Sequence, residues 1–166
     1  MERALAPAMA HPGRNSSSQS ILNPARIFFA TTKTSMSRRL LQSERNATLL
    51  VDVLRSLVRE RKFKLHDFVI MPDHVHLLLT VEDTMTIEKA MQLIKGRFSH
   101  RLLKECGYLG EVWQRGFSEV QVLNKESIKR YRDYIANNPM KAGLVDSPEK
   151  YPFCFNSLAK AKAEKH

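Results

Sequence analysis

Phe68-Val-Ile-Met-Pro-Asp-His-Val-His-Leu-Leu-Leu-Thr80 decides how this chain folds. Met71-Pro-Asp73 is a turn: proline fixes φ, and an aspartate side chain can bond its own backbone. The flanking runs, Phe63 to Met71 and His74 to Val81, are apolar and β-branched, so they predict two strands joined as a hairpin. Strand side chains alternate faces with period two. His74 and His76 therefore share one face, near an end of the sheet, while Val75 points to the other, toward the core. Two adjacent imidazoles suit a shared ligand such as a metal ion. The plainer reading is a polar pair on the open face of a sheet.

Outward from the hairpin, Arg26-Ile-Phe-Phe-Ala-Thr-Thr32 predicts a first strand. Glu44 to Arg61 carries Leu49, Leu50, Val53, Leu54, Leu57 and Val58 at helical spacing, with Arg55 and Arg59 off that stripe. Thr86 to Glu105 predicts a second helix on the stripe Ile87, Met91, Ile94, Phe98 and Leu102, stopped at Gly107. Glu111 to Leu123 predicts a fourth strand. Strand, helix, strand, strand, helix, strand is the split βαβ, or ferredoxin-like, order. The expected fold class is α+β: a four-stranded antiparallel sheet with both helices on one face. The other face is then left free as a platform for nucleic acid. The domain spans 25–157, between a flexible basic arm at 1–24 and a basic tail at 158–166.

An additional C-terminal helix follows the sheet. Asn124 caps it, it runs from about Lys125 to Asn137, and Pro139 is expected to end it near Asn138. Ile128 and Ile135 set its core side, with Tyr131 close to them. Tyr134 and Asn138, one turn apart, lie on the flank. Tyr131 is the packing candidate and Tyr134 the one placed to present a hydroxyl. Alone, such a Tyr/Asn pair is structural. With His74 and His76 it could form a site: if the two imidazoles and the Asn138 amide shared a divalent ion, Tyr134 would be placed to attack a phosphate as a covalent nucleophile. Phenols ionise at about pH 10, so the ion or the cations Lys129, Arg130 and Arg132 must favour the phenolate.

Charge names the class of partner. The 166 residues hold 27 Lys and Arg against 17 Asp and Glu, a net +10 that points to nucleic acid or an acidic membrane surface rather than solubility alone. No run of about eighteen apolar residues exists to span a bilayer, so no membrane span is expected, and nucleic acid rather than a membrane is taken as the partner. No apolar stretch follows a basic start as in a secretory signal. Cys106 and Cys154 have no metal or redox spacing and read as ordinary thiols of a reducing compartment. Candidate nucleic-acid-binding cations are Arg38, Arg39, Lys95, Arg97, Arg101, Arg115, Lys129, Arg130 and Arg132.

His-hydrophobic-His on a strand, then Tyr134-Ile-Ala-Asn-Asn-Pro-Met-Lys-Ala-Gly-Leu-Val145 on a helix, resembles the HUH single-strand transposases with one catalytic tyrosine. Val69 to Leu79, Trp113-Gln-Arg-Gly-Phe117 and Tyr151-Pro-Phe-Cys-Phe-Asn-Ser157 narrow the resemblance to the REP-associated tyrosine transposases, over about residues 26–157. The resemblance implies a Mg²⁺ or Mn²⁺ ion and nicking of single-stranded or hairpin DNA with a 5′-phosphotyrosine and a free 3′-hydroxyl. It makes Tyr134 the nucleophile and His74, His76 and Asn138 the metal ligands. Asp73 stands where many relatives have Asn, with little effect expected. Asn138 stands where insertion-sequence relatives have Gln, and Phe153-Cys154 departs from the usual ending. The runner-up is a domesticated, non-catalytic DNA binder. A zinc hydrolase acting through water is third, with Glu119 the one carboxylate to serve it. Monomer and homodimer both remain open, as does a tyrosine helix lent by a partner chain.

Overall fold

The computed structural model describes residues 24–158, so the expected arm and tail lie outside the described residues but for one bordering residue each. Four strands form one antiparallel sheet: β1 (Arg26–Lys33), β2 (Lys64–Met71), β3 (His74–Val81) and β4 (Ser118–Val122), in the order β2-β3-β1-β4. Among the described residues three long helices accompany it: α1 (Glu44–Arg59), α2 (Ile87–Cys106) and α3 (Lys125–Lys141). The expected order holds. Each helix starts at a side-chain cap, from Ser43, Thr86 and Asn124 respectively, and α2 stops at Gly107 in the left-handed conformation.

The main core lies between the sheet and α1 with α2. Leu50, Val53, Leu54 and Leu57 of α1 and Met91, Ile94 and Phe98 of α2 meet Ala30, Phe68, Ile70, Val75, Leu77 and Leu79. The second face of the sheet is not free, as had been expected. Val69, Met71, Leu78 and Val122 from that face form a second core with Ile135 of α3 and Tyr151. The physical reason is in the strands. Phe68 to Met71 and Leu77 to Leu79 are apolar at every position, and such runs require cover on both faces.

Two expected boundaries move. β4 is shorter than Glu111 to Leu123, because Gly116 takes φ +81° and turns the chain before the strand begins. Trp113 meets Thr34 in an isolated bridge, and the Gln114 amide donates to the Lys33 carbonyl. Helix α3 does not end before Pro139 but runs through it to Lys141. Proline costs α3 one backbone bond, to Ile135, in its last turn. The Ala142 and Leu144 amides still bond the Asn138 and Pro139 carbonyls, and Gly143, at φ +75°, makes the actual stop.

Residues 151–154 strap the β2 edge. The Ile70 amide donates to the Phe153 carbonyl, Val69 bridges to Cys154, and the buried Tyr151 hydroxyl donates to the Ile70 carbonyl at 2.5 Å. Burial, with the Cys154 thiol adding to it, pushes the Tyr151 phenol up to about 12, so it stays a donor.

Candidate active site

The hairpin turn puts the two histidines where the sequence expects them. Residues 72 and 73 make the turn, and the amides of Thr34 and Leu41 donate to the Asp73 and Pro72 carbonyls, so it is pinned from both sides. Val75 enters the main core. His74 and His76 face the α3 side, their ring centroids 4.8 Å apart.

Each imidazole is held by its Nδ1. For His74 the partner is the Asp73 carboxylate, at 2.7 Å. A carboxylate accepts, so Nδ1 carries a proton, and in the neutral form of the ring Nε2 keeps a lone pair. An Asn at position 73 also offers an accepting oxygen, but the carboxylate adds a charge that makes His74 a stronger donor to a cation. His76 Nδ1 meets the Thr31 hydroxyl at 2.7 Å. His76 is only 5% exposed, and its Nε2 is buried without a hydrogen-bond partner among the described residues. Burial first, then the charges of His74 and Lys33, push His76 down to about 3. It is a neutral imidazole at any ordinary pH, the form that ligates metals.

Helix α3 brings the tyrosine over this pair. The Tyr134 ring meets the His76 ring edge-on with centroids 5.2 Å apart. Tyr134 is 42% exposed, while Tyr131 stacks on Phe29 at 4.4 Å, so Tyr131 is the packed ring and Tyr134 the exposed one. Phe29 is the residue that sequence reasoning missed. It stacks on His76 at 5.4 Å and meets Tyr134 edge-on at 5.8 Å, forming the floor of the site. The signal was the paired Phe28-Phe29: one ring goes to each face.

Asn138 follows Tyr134 by one turn of α3. Among the described residues no group of three or more His, Cys, Asp or Glu side chains stands ready for a metal. Two imidazoles here need a donor of another type, and the Asn138 amide oxygen is chemically suited. The unsatisfied Nε2 of His76 and the lone pair left on His74 fit a divalent ion. Glu119 does not join them: it lies opposite Ala30, on the other face of the sheet.

The candidate cations scatter. Lys95, Arg97 and Arg101 sit on α2, across the sheet from the histidines. Lys95 donates to the Gln114 and Gly116 carbonyls, Arg97 pairs with Glu60, and Arg101 pairs with Glu105. Arg38 reaches the Tyr108 hydroxyl and Arg39 the Gln42 side chain. On α3, Lys129 pairs with Asp133 and Arg130 bonds Ser127. Arg132 instead faces His66 and Asp67: its charge adds to the burial that holds His66 below its ordinary value, and it opposes the burial that raises Asp67 to about 6. Arg115 is exposed, next to Gln114.

A family model described as IS200-like transposase matches residues 29–138. The REP-associated tyrosine transposase of Escherichia coli K12 is 32% identical over 96 residues, 57% of this chain and 55% of that protein. A Haemophilus influenzae relative is 31% identical over 96 residues, 51% of this chain and 53% of its own. The chain thus spans about half the length of the curated relatives it matches. A solved structure of a REP-associated tyrosine transposase bound to a REP hairpin superposes with a TM-score of 0.68 at 26% identity, covering 84% of this chain and 81% of that one.

Proposed function

This chain belongs to the IS200-like transposase family, and on that premise we propose that it nicks and rejoins single-stranded or hairpin DNA through a covalent bond at Tyr134. The Tyr134 oxygen bonds to phosphorus, and the bond from phosphorus to the 3′ oxygen breaks. The phenol proton is given up and the 3′ oxygen leaves as a hydroxyl. The 5′-phosphotyrosine conserves the energy of the cleaved linkage, so attack by a 3′-hydroxyl rejoins the strand without ATP. His74, His76 and Asn138 would hold Mg²⁺ or Mn²⁺, which supplies Lewis-acid polarisation of the phosphate. Asp73 and Thr31 orient the two imidazoles, and Phe29 supports both His76 and the tyrosine.

The observation that carries this reading is the contact of an exposed tyrosine with a buried neutral histidine inside one chain. It supports attack in cis, with no helix borrowed from a partner. The unpartnered Nε2 of His76 also favours catalysis over simple binding. An orphaned buried nitrogen costs stability unless something ligates it, and a passive DNA binder has no use for that cost. The test is a denaturing-gel assay for a protein–DNA adduct on hairpin DNA with single-stranded flanks, with Mg²⁺, Mn²⁺ or EDTA. Adduct is expected with metal and is lost in Tyr134→Phe and His74→Ala. Adduct that persists in Tyr134→Phe rejects the nucleophile. Salt-sensitive binding with no adduct under any metal selects the non-catalytic binder.

A further inference from the structure

The cations that sequence patterning singles out are mostly engaged with the protein itself, as Arg97 with Glu60 and Lys129 with Asp133. Two others, which the patterning passed over, stand beside the site. Lys33 ends β1 directly opposite His74, on the same face of the sheet, and is exposed. It is close enough for its charge to act on His76. Lys141 is exposed in the last turn of α3, its Nζ 5.8 Å from the centre of the Tyr134 ring. Neither forms a salt bridge among the described residues; the ion pairs formed there all involve other cations.

One lysine thus stands on the sheet beside the imidazoles and the other on the helix beside the phenol. Lysine carries a point charge on a flexible stem, suited to following a phosphate through a change of bonding partner. We propose that Lys33 and Lys141 grip the same backbone phosphate from two sides, the phosphate presented to Tyr134. The grip needs a nucleic-acid strand running over this face. Only the identity of the gripped phosphate rests on the reaction proposed above.

The experiment measures binding in EDTA, so that neither metal nor turnover enters. The probe is a REP hairpin of the kind held by the solved relative, extended by a single-stranded tail. Fluorescence anisotropy across a salt series compares the wild type with Lys33→Gln, Lys141→Gln, the double variant, and Lys104→Gln. Lys104 is exposed on α2, across the sheet, and serves as the control. Thermal melts check that each variant folds. Each site lysine should lower the slope of log affinity against log salt by about 0.7, and the double variant by about twice that, while Lys104→Gln matches the wild type.

A second series moves one uncharged methylphosphonate linkage along the tail. The affinity deficits of both variants should vanish at one and the same linkage. Unchanged slopes, or deficits that vanish at two different linkages, overturn the proposal, as does failure of the wild type to bind. Adduct formation with Mg²⁺ is read separately on the same DNA. Adduct with unchanged slopes overturns the grip alone; lowered slopes without adduct overturn the nicking reaction alone.

Discussion

Replacing Asp67 with Asn should stabilise the protein at neutral pH and leave it unchanged in acid. Asp67 is buried on the α3 face of β2, its Oδ1 accepting the Phe68 amide. Burial raises its carboxyl from 3.8 to about 6, against the opposing pull of the Phe68 amide and Arg132. The folded state therefore binds a proton more readily than the unfolded state. Stability is full below about pH 4 and declines as pH rises to about 6, where the carboxylate must be kept charged in the fold. At 1.36 kcal/mol per pH unit the difference comes to about 2–3 kcal/mol, the lower figure allowing for solvent screening.

Asparagine keeps the accepting oxygen and removes the charge, so Asp67→Asn recovers that amount above pH 6. For a chain of this length it raises Tm by roughly 4–12 °C at pH 7.5. Urea unfolding of both proteins from pH 4 to pH 8 isolates the effect. The depressed His66 and His76 lose stability as pH falls, but they do so in both proteins and cancel in the difference. A difference that is flat with pH, or that grows toward acid, refutes the reasoning.

Tyr134→Phe should abolish adduct with a Tm shift under about 1 °C, because the hydroxyl is on an exposed residue and has no hydrogen-bond partner among the described residues; calorimetry reads this directly. Mn²⁺ titration followed by electron spin resonance should show binding lost in both His74→Ala and His76→Ala. Only the second should also destabilise the fold, by about 1–3 kcal/mol, since only His76 is buried; equal melts would deny that distinction. Tyr151→Phe should cost about 1–2 kcal/mol in urea by orphaning the Ile70 carbonyl. In the wild type, absorbance at the tyrosinate band should leave one phenol silent until about pH 12.

Local patterns carried most of the fold. The bounds of β3 and the starts of α1 and α3 follow from alternation, periodicity and caps, each settled within a few residues of the chain. What failed was long-range or depended on balance. Where α3 docks is decided by Val69, Met71 and Leu78 on the second face, and their unbroken apolar runs carried that message, masked by attention to the histidines. Pro139 gives a correct local penalty, but packing of a buried proline in the last turn outweighs one missing bond. Of the site, the histidines and Tyr134 were legible because they share one hairpin and one helix. Phe29, Lys33 and Lys141 were not, because only the pairing of β1 with β3 and the continuation of α3 bring them near.

That continuation has a mechanical consequence. Tyr134, Asn138 and Lys141 are spaced by four and three, so they form a single stripe on a rigid rod rather than three independently placed groups. Sliding or turning the rod displaces all of them together relative to the sheet. Disturbing its seat at Ile135 or Phe29 should behave as one coordinated misalignment, with loss of DNA hold and loss of chemistry arriving in step.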